Sequence, residues 1–174
     1  MKSLQSILFG VSLKEVIGTT QQEITDIQID SRKITKGSAF VAIQGLQADG
    51  HSFIAAAIEK GATVIVCENK PTLLQEGITY IIVEKAQEAV AIMAHQFYDE
   101  PSTHLKLVGV TGTNGKTTVA TLLFKLFSSL GHTCGLISTV QNQIGTAIPV
   151  AMQTLFSITA HLLQFTITQE DIYF

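Results

Sequence analysis

One segment, residues 105–130, constrains the fold of this chain more than any other; it reads LKLVGVTGTNGKTTVATLLFKLFSSL. It opens with an apolar run, residues 105–110, whose length and β-branched content predict a buried strand. A turn containing two glycines follows, and then a Lys-Thr-Thr sequence. The apolar residues beyond it recur at helical spacing: Val119, Leu122, Leu123, Leu126, Phe127 and Leu130. A strand, a glycine loop, a Lys-Thr pair and a helix in this order predict a phosphate-binding loop.

The chemistry of such a loop assigns a role to each residue type. Glycines let backbone N–H groups approach phosphate oxygens, and the helix directs the positive end of its dipole at the same point. Lys116 is expected to neutralise the outer phosphates of ATP and to act in catalysis, and the Thr117 hydroxyl to bind Mg²⁺. The strict pattern G-x-x-x-x-G-K-[ST] fails at one position, Val110, so an ordinary strand-to-helix turn is the alternative. The predicted ATP-binding residues are Gly112, Thr113, Asn114, Gly115, Lys116, Thr117 and Thr118.

The part of the chain before this loop predicts alternating helices and strands. Strands are expected at residues 24–29, 39–43, 63–67 and 79–83, and helices at residues 4–9, from 51 to about 60, and 86–99. The second of these helices is predicted to have an apolar face of Phe53, Ile54, Ala57 and Ile58. Strands separated by helices of this length predict an α/β layer structure.

Composition excludes several classes of protein. The chain has 174 residues, is 46% hydrophobic and 14% charged, and has a net charge of −3, with no basic stripe to favour nucleic acid. No stretch predicts a signal peptide or a membrane span. Cys67 and Cys134 fall in apparent strands without a C-x-x-C pair, and His95 and His104 lack partners at metal-ligand spacing. We therefore expect a soluble, cytoplasmic protein.

Two polar loops in the first 60 residues are candidate binding segments. Asp30, Ser31 and Arg32 follow the first long strand, and residues 45–50 form a loop bounded by glycines. From the residues alone, a solvated strand end and a binding loop are about equally good interpretations.

Two motif sets carry a resemblance to a known family. The sequence VGVTGTNGKTT at residues 108–118 resembles the ATP loop of the Mur ligase family, which also includes folylpolyglutamate synthases. The sequence IDSRKITKGSAFVAIQGLQADGHSFIAAAIEKGATVIV resembles the N-terminal domain of the two Mur ligases that add the third residue and the terminal dipeptide to the peptidoglycan stem. Its signature reads here as DSR, KG, FVA and G, followed by DGHSFI at residues 49–54.

The resemblance implies a function and a domain plan. Residues 1–84 would be a small α/β domain that binds UDP-MurNAc, residues 85–104 a linker helix and boundary, and residues 105–174 an incomplete ATP-binding domain with a P-loop-type parallel sheet. The implied reaction joins meso-diaminopimelate or L-lysine to UDP-MurNAc-L-Ala-D-Glu through an acyl-phosphate made from ATP with Mg²⁺. Neither nucleic acid nor a membrane takes part, and no protein partner is inferred. The implied UDP-sugar contacts are Ile29, Ser31, Leu46, Gln47, Ala48 and Thr154.

The family pattern breaks after Pro149. Only Thr154 remains of a T-T-P or N-T-T substrate motif, and Glu170 and Asp171 are expected to be solvated. The family's acidic metal-binding residue, its carbamylated lysine and its C-terminal domain are not found in this sequence. One alternative is therefore a truncated remnant that binds UDP-sugar without ligating. The other is the sister dipeptide-adding ligase, against which the sequence GLISTV at residues 135–140 argues.

Overall fold

A computed structural model describes residues 1–45, 49–104, 106–140 and 142–145. The chain divides into two compact units, Met1–Thr103 and the part from His104 onward. The described chain combines helices with a largely parallel five-stranded sheet, which confirms the predicted α/β class. In chain order the elements are β1 (Lys2–Ser3), α1 (Leu4–Ile7), β2 (Leu13–Ile17), β3 (Glu23–Ile24), β4 (Ile27–Gln28), β5 (Ala39–Val41), α2 (Ile54–Glu59), β6 (Val64–Cys67), β7 (Thr79–Val83), α3 (Ala86–Phe97), α4 (Lys116–Ser129), β8 (Gly135–Ile137) and β9 (Asn142–Ile144), with 3-10 turns at Ser31–Lys33, Gly50–Phe53 and Pro101–His104.

The first unit is built on a five-stranded sheet in the order β2-β7-β6-β5-β4. Strands β4, β5, β6 and β7 are parallel to one another, and β2 pairs antiparallel with β7 at one edge. The short strands β1 and β3 form a separate antiparallel pair. Because β4 and β5 are parallel neighbours, the segments that leave their carboxyl ends start from the same edge of the sheet.

Side chains that alternate along each central strand fill two core layers. Phe40, Ile65 and Tyr80 share one buried cluster with Ile54 and Ala57 of α2. The alternate strand residues point to the opposite face by the period of a strand. They are also buried, as are the inner residues of α1 and α3: Leu4, Ile7, Val41, Val64, Ile81, Ala89, Val90 and Met93. Both faces are covered, so β6 and β7 read as unbroken apolar runs.

Most predicted elements of the first unit are confirmed. The strands at residues 63–67 and 79–83 and the helix from residue 86 occur within a few residues of their predicted bounds. The predicted strand 24–29 is instead two short strands, because Ile24 pairs with β1 whereas Ile27 pairs with β5. Strand β2 was not predicted, since its residues are mostly exposed at the sheet edge and show no apolar alternation. Phe53, predicted on the apolar face of the helix from residue 51, lies in the 3-10 turn before α2 and is 43% exposed, so it does not share the buried face that Ile54 and Ala57 form.

The second unit contains helix α4 and an antiparallel hairpin of β8 and β9. The prediction that residues 105–110 form a buried strand is wrong for the described residues 106–110, which lie in no strand. Leu107 and Val108 are 65% and 52% exposed. A strand needs a neighbour for its backbone hydrogen bonds, and within the described part of this unit β8 and β9 pair only with each other. Cys134 lies just before β8 rather than in it.

The described helices are short, and α4 is the longest at 14 residues. Across the described parts of the chain, none has the length and apolar character that crossing a bilayer requires.

Candidate functional site

The candidate site of the first unit begins where β4 ends. Ile29 directly follows β4 and is half-buried, and Ser31 opens the 3-10 turn Ser31–Lys33. The Asp30 carboxylate accepts a hydrogen bond of 3.0 Å from the Arg32 backbone N–H and so fixes the start of this turn. Local capping thus sets the direction in which Ser31 is presented.

An ion pair holds the Asp30 side chain in this arrangement. The Arg32 guanidinium donates to both carboxylate oxygens, through Nε at 2.9 Å and Nη2 at 2.8 Å. These hydrogen bonds lower the pKa of Asp30 from 3.8 to about 2, and Asp30 in turn raises the pKa of Arg32. Asp30 therefore stays ionised at neutral pH with Arg32 as its partner. The remaining polar group of the motif, Ser31, is the one available for a ligand.

Lys60, the residue after helix α2, adds a cation beside Ser31. Its Nζ donates to the Ser31 carbonyl oxygen at 3.1 Å. Lys60, Arg32 and Lys33 are all exposed. Cations around a small polar turn favour a negatively charged ligand such as a diphosphate.

The second candidate loop, residues 45–50, leaves the sheet beyond β5 and is closed at its base. The Gly50 N–H donates to the Ile43 carbonyl oxygen at 2.9 Å, and Gln44 bridges to Asp49. A Cβ at Gly50 would lie 2.6 Å from the Ile43 nitrogen, so only glycine permits this close approach. The predicted contacts Leu46, Gln47 and Ala48 lie outside the described residues, and so does Thr154.

The candidate site of the second unit is the glycine loop before α4. Gly112 and Gly115 have φ of +142° and +78°, a region that side chains disfavour. Gly115 is the N-cap of α4, and among the described residues beyond its chain neighbours no atom lies within 4 Å of the Cβ position at this residue. The space beside the first turn of the helix is therefore open. Exposed backbone and the positive end of the helix dipole together make an anion-binding arrangement.

Lys116 and Thr117 begin helix α4 beside this space. The Lys116 ammonium donates back to the carbonyl oxygens of Gly112 and Thr113, the latter at 3.4 Å. The Thr117 hydroxyl lies 3.5 Å from the Thr139 hydroxyl, which brings a residue beyond β8 to the loop. The other predicted ATP contacts, Thr113, Asn114 and Thr118, are exposed.

The described residues fit a nucleotide with its metal ion in one respect. Two hydroxyl oxygens beside an open phosphate-type loop are oxygen ligands of the kind that Mg²⁺ accepts together with phosphate oxygens. Among the described residues, no three His, Cys, Asp or Glu side chains gather as a metal site of their own.

Sequence reasoning missed two residues of these sites. Lys60 lies 29 positions after Ser31, and Thr139 lies 22 positions after Thr117. No local pattern signals either contact, because both arise from packing between separate elements. The signal that could have been used for Thr139 is its position just after strand β8, because ligands of α/β proteins bind beyond the carboxyl ends of strands.

Two family models match this chain. The model described as "Mur ligase family, catalytic domain" matches residues 23–98, and the "Mur ligase middle domain" matches residues 110–173. Between them they include both candidate sites.

Curated relatives are similar over nearly the whole chain. A UDP-N-acetylmuramoyl-L-alanyl-D-glutamate–2,6-diaminopimelate ligase from Phocaeicola vulgatus is 50% identical over 92% of this chain and 33% of its own length. A ligase of the same name from Cytophaga hutchinsonii is 49% identical over 87% of this chain and 31% of its own length. The chain thus spans about a third of the length of the curated relatives it matches.

A solved structure shows the same fold. The structure of a UDP-N-acetylmuramoyl-L-alanyl-D-glutamate–2,6-diaminopimelate ligase aligns with a TM-score of 0.64 at 23% identity, over 95% of this chain and 34% of that one. At this identity the likeness concerns the fold alone.

Proposed function

Since this chain belongs to the Mur ligase family, we propose that it supplies the UDP-sugar-binding and ATP-binding parts of a peptidoglycan precursor ligase. The proposed reaction adds a third amino acid to UDP-MurNAc-L-Ala-D-Glu at the cost of ATP. The single observation that carries the proposal is that the chain has two separate sites suited to anions. One is the cationic Ser31 turn in the first unit, and the other is the open glycine loop in the second.

In the first unit, the proposed ligand is the UDP-MurNAc end of the substrate. Ile29 would contact the ligand beside the strand end, and Ser31 would donate its hydroxyl to it. The Lys60 and Lys33 side chains would offset the diphosphate charge, since both lie at this turn and are exposed, whereas the charge of Arg32 is balanced by Asp30. The resemblance adds Leu46, Gln47, Ala48 and Thr154 to this proposal.

In the second unit, the proposed ligand is ATP. The backbone N–H groups of residues 112–118 would bind the phosphates, and Lys116 would exchange its present carbonyl partners for phosphate oxygens. Thr117 would hold Mg²⁺, with Thr139 beside it. When bound, this ion supplies positive charge that stabilises the phosphates as they react.

The proposed chemistry has two steps. In the first, a substrate carboxylate oxygen forms a bond to the γ-phosphorus of ATP, the bond to the bridging oxygen breaks, and ADP leaves. In the second, the incoming amine forms a C–N bond at the acyl carbon, the C–O bond breaks, and inorganic phosphate and a proton leave. The contribution of Lys116 and the loop is to position the γ-phosphate and to neutralise its developing charge.

The names of the curated relatives support third-residue addition over dipeptide addition. The relatives from Phocaeicola vulgatus and Cytophaga hutchinsonii are both named as 2,6-diaminopimelate ligases. They also favour diaminopimelate over lysine as the amino acid. We place the reaction in the cytoplasm, where ATP and nucleotide sugars are available and where free thiols such as Cys67 and Cys134 stay reduced.

Titration calorimetry of the 174-residue chain with UDP-MurNAc-L-Ala-D-Glu, and then with Mg²⁺-ATP, tests the proposal. We expect saturable binding of both ligands. Lys116→Ala should weaken ATP binding at least about tenfold, because it removes a charge-assisted contact to phosphate. Lys125→Ala is the matched control, since this lysine lies on the same helix two and a half turns away and should leave ATP binding unchanged.

The two sites can fail separately. Binding of the UDP-sugar without ATP binding would make the chain a nucleotide-sugar-binding module. ATP binding without UDP-sugar binding would overturn the assignment of the Ser31 turn. If neither UDP-sugar nor ATP binds, the proposed function is overturned.

A further inference from the structure

The Asp49-Gly50-His51 sequence belongs to the motif described above, yet neither proposed ligand contact uses His51. Its side chain is 15% exposed and lies between two elements. The Nδ1 atom lies 2.7 Å from Asp49 Oδ1, which also accepts the His51 backbone N–H at 2.9 Å. On its other side, Nε2 faces the backbone N–H groups of Glu68 at 3.2 Å and Asn69 at 3.4 Å, just beyond β6.

These partners determine the protonation state of the ring. A backbone N–H can only donate, so Nε2 accepts from Glu68 and Asn69 and carries no proton. A carboxylate can only accept, so Nδ1 carries the proton and donates to Asp49. His51 is therefore the neutral Nδ1–H tautomer. An imidazolium would direct a second N–H at two N–H groups and lose both contacts.

The same ring joins the base of the 45–50 loop to the rest of the sheet edge. Asp49 and Gly50 close that base through Gln44 and Ile43. Glu68, whose N–H binds the ring, accepts the N–H of Ala86 at the start of α3 through its own carboxylate at 2.8 Å. The loop base, the end of β6 and the start of α3 thus form one hydrogen-bonded series.

We propose that His51 is a positioning residue for UDP-sugar binding, which acts by fixing the base of the 45–50 loop to the end of β6 through its unprotonated Nε2. The proposal rests on the proposed function of the first unit. The ring itself touches no substrate in this role. Its effect is that the loop base is already fixed to the end of β6 before the ligand binds, which lowers the cost of ordering it on binding.

Two conservative substitutions test the contacts of the two ring nitrogens of His51 separately. His51→Gln places an amide oxygen near the position of Nε2 and can keep the Glu68 and Asn69 contacts. His51→Asn places its amide near the position of Nδ1, so it keeps the Asp49 contact and loses the other two. We expect His51→Asn to weaken UDP-MurNAc-L-Ala-D-Glu binding about tenfold, because the loop base loses its hydrogen bonds to the end of β6. His51→Gln should stay within about threefold of the wild type.

Rescue by His51→Gln is the readout that a merely structural role of the ring would not give, because this variant lacks the ring but can keep the contacts made by Nε2. Both variants retain the Asp49 carboxylate, so the difference between them reports on the contacts with the Glu68 and Asn69 backbone N–H groups.

Nitrogen NMR of the ring and amide exchange at Glu68 and Asn69, both without ligand, complete the test. An unprotonated Nε2, with amides protected in wild type and His51→Gln but not in His51→Asn, is the expected result. A protonated Nε2, or equal affinities of wild type and His51→Asn, would overturn the proposal. Equal losses in both variants would also overturn it, since the Nε2 contact would not be what matters. If the ring and amide results are as expected but the wild type binds no UDP-sugar, the proposed function itself has failed, and this proposal with it.

Discussion

The two units of this chain contain similar apolar sequence patterns but bury them very differently. In the first unit, residues of β6 and β7 such as Ile65 and Ile81 are fully buried. In the described part of the second unit, Leu136 is the one buried hydrophobic residue. Helix α4 has a clear apolar face, yet Leu122 and Leu126 on it are 60% and 52% exposed. Periodicity specifies the type of an element, whereas burial requires a second element to pack against it.

The substitution with the largest expected effect on stability tests the difference in burial between the two units. Ile81→Ala should lower the free energy of unfolding of the first unit by about 3 kcal/mol, because it leaves a cavity in a core covered on both faces. Leu122→Ala should change that of the second unit by less than about 0.5 kcal/mol, since its side chain is already exposed and alanine favours helix. Urea denaturation gives the free energies, and amide exchange in β6 and α4 assigns each loss to its unit.

A large loss of unfolding free energy in Leu122→Ala would contradict this difference between the two units. It would mean that the apolar face of α4 is covered in solution, and the difference between the two units would then not be one of packing. Equal effects of the two substitutions are the outcome that this structure does not allow.

Two glycines, one in each unit, give the next largest effect. Gly50→Ala would place a methyl group 2.6 Å and 2.7 Å from the Ile43 backbone nitrogen and oxygen, which cannot move without breaking the loop base. We expect it to cost about 2 kcal/mol. The methyl group of Gly109→Ala would meet no atom of the described residues within 4 Å, chain neighbours aside, and the φ of Gly109 is not in the left-handed region. This substitution should leave the free energy of unfolding unchanged or raise it by about 0.4 kcal/mol.

Thermal denaturation of both alanine variants against the wild type measures this pair. Gly109 belongs to the apolar segment that was predicted as a buried strand. A clear loss of stability in Gly109→Ala would therefore indicate that this segment is packed in solution, and would restore the strand prediction. A neutral Gly50→Ala would show that the loop base is looser than its contacts imply.

The contrast between the units also explains which features the sequence could predict. The strands at residues 63–67 and 79–83 were predicted closely because short runs rich in β-branched residues and buried on both faces depend little on distant detail. The strand at residues 105–110 was predicted from the same signal and is wrong for the described residues, because a run cannot reveal whether a neighbouring strand will pair with it. Edge strand β2 has no apolar signal and was missed.

In the candidate sites, too, local arrangements could be predicted from sequence and contacts between separate elements could not. Gly112, Gly115 and Lys116 could be placed from sequence because adjacent residues and a helix start produce the arrangement locally. Lys60 beside Ser31 and the contact of His51 with Glu68 could not, because each depends on the packing of α2 or β6 against a loop. The roles of these residues in binding remain predictions for the titrations proposed above.

The smallest expected effect concerns charge. The site of the first unit pairs Asp30 with a guanidinium, whereas the Lys116 ammonium of the second contacts carbonyl oxygens. The pKa of Asp30 is lowered from 3.8 to about 2 in the folded chain, so its carboxylate stabilises the first unit above about pH 4. That contribution is lost as the pH falls from about 4 to about 2. Arg32 is 86% exposed, so solvent screening keeps this contribution small.

A carboxyl NMR titration of Asp30 measures this pKa in the folded protein. Arg32→Gln should raise the pKa toward the ordinary range because it removes the side-chain hydrogen bonds that are the main cause of the shift. The Arg32 backbone N–H contact would remain, so the pKa should stay slightly low. Lys33→Gln is the matched control: it removes a neighbouring charge without a hydrogen bond to Asp30 and should raise the pKa far less. A wild-type Asp30 that titrates near pH 4 would show that the pair does not form in solution, and that the Ser31 turn must be held in some other way.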